Sequence, residues 1–278
     1  MRKKLDKIPK TSKIENKCPV FFIINWTNFI YLHKISVVKV SDYIKNKIER
    51  LPKSYVFTYD DFVTEVNKKE AVIKCLNRLA ASGKISKVAK GKFYKPENTV
   101  FGKLEPSQYQ LVKDLLESDN KITGYLTTYS IFNSLGLTTQ VSNTIQIAKN
   151  EVRPTFKRER YTISFVKQKN TITKENIPFL QLLDSIRYIK KIPDATIVNS
   201  CQRFMELIKK YSDGEISTLV RLALKYPPAT RALLGAILDD LEKTTFSETL
   251  LKSLNSITKY TLSGAKNALV NCEKWNII

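Results

Sequence analysis

The chain has 278 residues, 42 % of them hydrophobic and 26 % charged, which is room for two domains with cores of their own. Its 47 Lys and Arg outweigh 26 Asp and Glu to leave a formal +21, an excess that gathers polyanions and points to nucleic acid as partner, although a lysine-biased composition alone gives the same number. Four scattered cysteines (Cys18, Cys75, Cys201, Cys272) with no Cys-x-x-Cys spacing give no sign of a zinc knuckle or a disulfide framework, and a lone His33 leaves histidine-dependent catalysis and most histidine metal sites unsupported.

Residues 1–17 are a basic, lysine-rich run and read as disordered. The apolar stretch Pro19 to Leu32 comes next. It is short of the ~20 residues a spanning helix needs, and Asn25, Thr27 and Asn28 interrupt it. A membrane role is therefore not expected. Residues 1–37 are taken as an extension, either a packed N-terminal segment or a stretch upstream of the natural start.

From residue 38 to 98 the pattern is that of a winged helix-turn-helix. A first helix is expected from Ser41, as N-cap, to Leu51, with Val40, Ile44, Ile48 and Leu51 on one face. Lys53 to Phe57 reads as an extended link. Thr58 and Asp61 then form an acidic variant of the capping box for a short helix that turns Phe62, Val63 and Val66 inward. The third helix, Lys69 to Ser82, is the informative one. At 100° per residue Val72, Cys75, Leu76 and Leu79 share an inner face, while Glu70, Lys74, Asn77, Arg78 and Ala81 share the outer one. Long basic side chains and a carboxamide on that face suit a DNA major groove. Gly83 closes the helix, and Ile85 to Pro96 alternates apolar residues with lysines around the turn Ala89-Lys90-Gly91-Lys92, as a wing does. The DNA contacts expected from this pattern are Lys68, Lys69, Lys74, Asn77, Arg78, Lys84, Lys87, Lys90 and Lys92. Charged faces are more often merely solvated, and a lysine-guarded sheet edge looks the same; the succession of three helices and a ribbon favours DNA.

Residues 99–278 read as a small α+β unit followed by a helical region, so the whole is α+β and mostly helical. Pro106 opens a helix to about Glu117, and a second is expected near Leu126–Leu135 with Gly136 at its end. Thr138 to Ala148 alternates as a strand through Val141, Ile145 and Ile147. Val152 to Val166 holds one or two more strands with a basic turn. Five helical patterns come after these, from Ile177, Val198, Ile216, Ala229 and Leu250, and a closing one spans Leu262–Val270. Asp213 is expected to cap the third of these, and Asp239-Asp240 to lie in solvent at the end of the fourth.

No glycine-rich phosphate loop, nucleophile elbow or spaced metal-ligand cluster occurs, and a nucleotidyltransferase's Gly-Ser dipeptide is missing. Neither an enzyme nor a cofactor or metal site is expected. Four segments carry a resemblance: Val56 to Phe62, Leu79 to Gly83, Gly91 to Pro96 and, most specifically, Asn133-Ser-Leu-Gly-Leu-Thr-Thr-Gln-Val141. Over roughly Val40–Leu241 they resemble the AbiE-type (abortive infection) antitoxin and transcriptional-regulator family of bacteria. That resemblance implies a cytoplasmic type IV antitoxin. Its winged helix represses its own operon at double-stranded operator DNA, and its C-terminal domain counteracts a nucleotidyltransferase-like toxin, with direct contact left open. Two alternatives stand beside it: a protein-interaction module that keeps the winged helix as scaffold, and an RNA-binding protein. In the second, the segments Lys149–Arg160 and Lys167–Lys169 would make the contacts, and Tyr161 or Phe165, which read more readily as strand core, would stack on bases.

Overall fold

The computed structural model describes residues 39–63, 69–100, 102–118 and 121–278. The extension over residues 1–37, Val66 and Lys68 lie outside them. The fold is α+β. Helix α1 (Val40–Arg50) buries Ile44 and Ile48, with Val40 and Leu51 packed beside them. Its start differs from expectation. The N–H groups of Asp42 and Tyr43 already donate to Lys39 O at 2.7 and 3.1 Å, because Val40 is drawn into the core, so Ser41 sits inside the first turn rather than at the cap. Strand β1 (Val56–Thr58) occupies what read as a link. It is followed by α2 (Asp60–Val63), α3 (Lys69–Ala81), β2 (Ser86–Ala89) and β3 (Lys92–Tyr94). The three strands form an antiparallel sheet in the order β1-β3-β2.

Strand alternation gives this sheet two buried faces. Phe57 and Phe93 point to the helices, joining Ile44, Phe62, Val72 and Leu76; Phe57 meets Phe62 edge-on at 5.7 Å between centroids. Val56, Val88 and Tyr94 point the other way and share a cluster with Leu111, Val112 and Leu115 and with Ile145, Ile147 and Ile163 of a second sheet. Between the two lie a hairpin, β4 (Glu97–Thr99) with β5 (Gly102–Leu104), and helix α4 (Gln108–Leu116), whose first turn is capped by Ser107 Oγ accepting from Gln110 N at 3.4 Å.

After α4 come the short pair β6 (Glu117–Ser118) and β7 (Lys121–Ile122), then β8 (Gly124–Leu126). The helix expected at Leu126–Leu135 is not formed. Leu126 is taken by β8, paired with Ile147, and Thr127 N donates to Gln146 O at 2.9 Å. The chain then makes one 3-10 turn (Thr128–Ser130) and a looped turn closed by Gly136, whose φ is +70°. The expected strand from Thr138 begins only at β9 (Thr144–Lys149), which leaves Val141 81 % exposed. With β10 (Phe156–Arg158) and β11 (Tyr161–Lys167) the sheet order is β10-β11-β9-β8, where β9 and β11 run parallel and the other pairs antiparallel.

Helices α5 (Ile177–Arg187), α6 (Ile197–Ile208), α7 (Asp213–Ala223), α8 (Pro228–Asp240) and α9 (Thr244–Lys252) pack around one large core that also receives Phe132 and Leu137 from the turn after β8. Ser212, not Asp213, caps α7. It makes a full capping box with Glu215, whose carboxylate accepts from Ser212 N at 2.8 Å, while Asp213 pairs with Lys243 at 2.8 Å. Beyond α9 the expected closing helix is replaced by two 3-10 turns, Ala265–Asn267 and Val270–Cys272. The chain must fold back here, because Trp275 inserts against α8 at Gly235 and Tyr260 bridges to Ile277. The carboxylate pair read as solvated is what holds this tail. Asp239 accepts from Trp275 Nε1 at 2.8 Å and meets Lys274 Nζ at 2.6 Å, and Asp240 accepts from the N–H groups of Val270 and Asn271 at 2.8 and 3.2 Å.

Candidate nucleic-acid interface

Helix α3 stands where its apolar stripe puts it. Val72, Cys75, Leu76 and Leu79 are buried, which turns Glu70, Lys74, Asn77, Arg78 and Ala81 into solvent. At the start of α2, Thr58 N and Thr58 Oγ1 donate to Asp61 Oδ2 at 2.6 and 3.2 Å, and at the first residue of α3 Lys69 Nζ lies 4.7 Å from the centre of the Tyr59 ring. At the exit, Gly83 takes φ +72°, a conformation that costs an L side chain, and Lys84 N returns to Leu79 O at 3.1 Å. Ile85 is buried and anchors the start of the ribbon.

In the ribbon, Gly91 turns with φ +75° between β2 and β3, so Lys90 sits exposed at the tip. Lys87 pairs with Phe93 across the ladder, so it shares the face that looks toward the helices, and it is exposed at the sheet edge. Lys84 is exposed as well. Among the described residues, none of Lys74, Arg78, Lys84, Lys87 and Lys90 meets a carboxylate at ion-pair distance, so their charge is available to a partner.

Lys92 departs from the set. It lies two residues from Tyr94 and therefore on the face covered by α4, where it pairs with Asp114, its side chain only 16 % exposed. Arg158 grips the same carboxylate with both terminal nitrogens, at 2.8 and 3.1 Å. Burial pushes Asp114 up, but Arg158 and Lys92 outweigh it and hold the carboxyl below its ordinary range. Burial lowers Lys92 against the pull of Asp114. Lys92 thus fastens the ribbon to α4 and is withdrawn from a phosphate. The signal was in the sequence: its parity relative to Phe93 separates it from Lys87. Asp114 and Arg158 are 44 residues apart and gave none.

The aromatics considered for base stacking are not open. Tyr161 is 9 % exposed within the shared core, and Phe165 lies against Phe156 (centroids 6.2 Å apart) with the Arg153 guanidinium 5.2 Å from its centre. No group of three or more His, Cys, Asp or Glu is placed to hold a metal among the described residues, and burial pushes the Cys201 thiol up to about 12, away from the reactive thiolate. No helix of the described residues is long and apolar enough to cross a membrane.

A family profile described as a family of unknown function, DUF6088, matches residues 43–216, from α1 into α7. Comparison with curated proteins found no match. Among solved structures, the crystal structure of the RV2827C protein from Mycobacterium tuberculosis is similar. Its TM-score is 0.56 at 14 % identity, with 80 % of this chain and 84 % of that chain covered, a likeness of fold.

Proposed function

The chain belongs to the DUF6088 family of unknown function, and we propose that within it this protein is a winged-helix DNA-binding regulator that acts as the antitoxin of a type IV toxin–antitoxin pair. One observation carries the DNA-binding part. Helix α3 lies against an antiparallel β1-β3-β2 sheet and presents Lys74, Asn77 and Arg78 on a face continuous in the chain with the exposed Lys84, Lys87 and Lys90. In this arrangement α1 to α3 are the helix-turn-helix part and the β2–β3 hairpin is the wing. The carboxamide of Asn77 and the guanidinium of Arg78 reach base edges, and the lysines meet phosphates. The formal +21 supports the same partner.

The antitoxin part rests on the AbiE-type resemblance, above all on Asn133–Val141. That segment supplies Leu137 to the core under the C-terminal helices, after Phe132 just before it, so it is placed to shape that half of the molecule. Operator DNA and a cytoplasmic location belong with this function, and the toxin would be nucleotidyltransferase-like. The test is a gel shift on the protein's own promoter at ~150 mM salt. A retarded operator that outcompetes random duplex is expected; equal retardation of both would end the repressor proposal. Growth rescue on co-expression with the neighbouring toxin tests the antitoxin part separately.

A further inference from the structure

A second basic feature lies far from α3 in the chain, and the DNA-binding proposal does not use it. A cavity of about 730 Å³ opens between the end of β11, the last turn of α5 and the loop from α7 into α8. Five cationic side chains line it: Lys167, Lys169, Arg187, Lys225 and Arg231, with no carboxylate in the lining. None of the five forms an ion pair among the described residues. Clustering like charges costs free energy unless an anion sits between them. Arg231 shows the same shortfall at one atom. Its Nη1 donates to Ser253 O at 2.7 Å, while its buried Nε meets no acceptor among the described residues. A buried donor without an acceptor costs about 1–3 kcal/mol.

The floor of the cavity is rigid. Gln168 Nε2 donates to the hydroxyls of Tyr125 and Tyr226 at 2.7 and 2.8 Å, and these in turn donate to the buried Asp184 at 2.8 and 2.9 Å. Thr127 Oγ1 adds a third hydroxyl to Asp184 at 2.6 Å. Asn170 Nδ2 bonds Leu222 O at 3.1 Å, so the backbone that carries Lys167 and Lys169 is tied both to the sheet and to α7. The acid beneath the floor is thus buried and covered by hydroxyls, and the cations above it are held on a fixed frame. One wall is apolar: Pro227, Pro228 and Leu224, the last 40 % exposed.

Five cations and an apolar patch lining one cavity, with a volume in the range of small-molecule sites, fit a ligand that is anionic in one part and flat and apolar in another. We propose that this cavity binds a nucleotide, its phosphates held by Arg187, Lys225, Lys169 and Arg231 and its base laid against Leu224 and the proline pair.

Isothermal titration calorimetry on the full chain at ~150 mM salt tests this, with ATP, GTP, inorganic triphosphate and an oligouridylate RNA as probes. The expected result is saturable one-site binding of ATP or GTP. It should weaken at least about tenfold in the Arg187→Gln/Lys225→Gln variant and stay unchanged in Lys209→Gln/Lys210→Gln, which removes the same charge from the exposed turn after α6. All four positions are exposed, and circular dichroism melting confirms that each variant folds. Equal loss in both variants would reduce the effect to general charge. Absence of saturable nucleotide binding, inorganic triphosphate binding as tightly as ATP, or cavity-dependent binding of the RNA alone would each overturn the assignment. None of these outcomes depends on whether α3 binds an operator.

Discussion

Asn77 and Arg78 stand side by side on the outer face of α3, exposed and without a partner among the described residues. Bases are told apart by bidentate hydrogen bonds, whereas phosphates only see charge. Asn77→Ala and Arg78→Ala should therefore each cost about 1–3 kcal/mol on operator DNA and much less on random duplex, read by fluorescence anisotropy. Lys90→Ala should weaken both duplexes alike and reduce the slope of log affinity against log salt by about 1. Lys92 behaves differently because it pairs with Asp114 on the face covered by α4. Lys92→Ala should leave DNA affinity unchanged and lower stability by roughly 1 kcal/mol in urea unfolding, since Asp114 keeps Arg158. A loss of DNA affinity in that variant would return Lys92 to the interface.

At the scale of elements, helix α8 and the tail are one device. A Cβ built on Gly235 would fall 2.0 Å from the Trp275 ring, so the helix can accept the indole there only with glycine. Gly235→Ala should destabilise the protein by about 1–3 kcal/mol despite alanine's better helix propensity, and should speed proteolysis of the tail; an unchanged urea midpoint would show that the indole moves aside freely. The elements that could be read from sequence were those whose partners are local. Helix α3 declares its buried face by its own periodicity, and α5 to α8 do the same; the pattern expected from Leu250 is displaced, because α9 spans Thr244–Lys252 and leaves Ile257 85 % exposed. The 126–135 stretch failed because Leu126 answers to Ile147 across a sheet, a contact no window of sequence contains. Asp239 looked solvated because Trp275, which it bonds, is 36 residues away. The α3 face could be read from phasing, and strand parity separates Lys92 from the other wing lysines. The basic cavity, gathered from three separate stretches of chain, could not.

Across the whole molecule, the β1-β3-β2 sheet is buried on both sides, by α1–α3 on one and by α4 and the second sheet on the other. The Asp114–Lys92–Arg158 cluster ties these layers together, and Asp239 ties the tail to α8. Burial pushes each of these two carboxyls up, but their cationic and hydrogen-bonding partners prevail and hold both below the ordinary 3.8. In the unfolded chain they take up protons at that ordinary value, and in the fold only lower. Their share of stability is thus complete above about pH 4 and lost as pH falls through the lowered values. Urea midpoints should drop as pH falls below about 4, and the drop should shrink in Asp114→Asn/Asp239→Asn; a variant as acid-sensitive as the parent would contradict this.

The central claim is that α3 reads a DNA sequence. Its most direct measurement is the ratio of affinities for the protein's own promoter and for a random duplex of the same length, at ~150 mM salt, for the parent chain and for Asn77→Ala/Arg78→Ala. A ratio well above unity in the parent that falls by about tenfold or more in the variant is predicted. A ratio near unity in the parent, or one that survives the loss of both side chains, would contradict it.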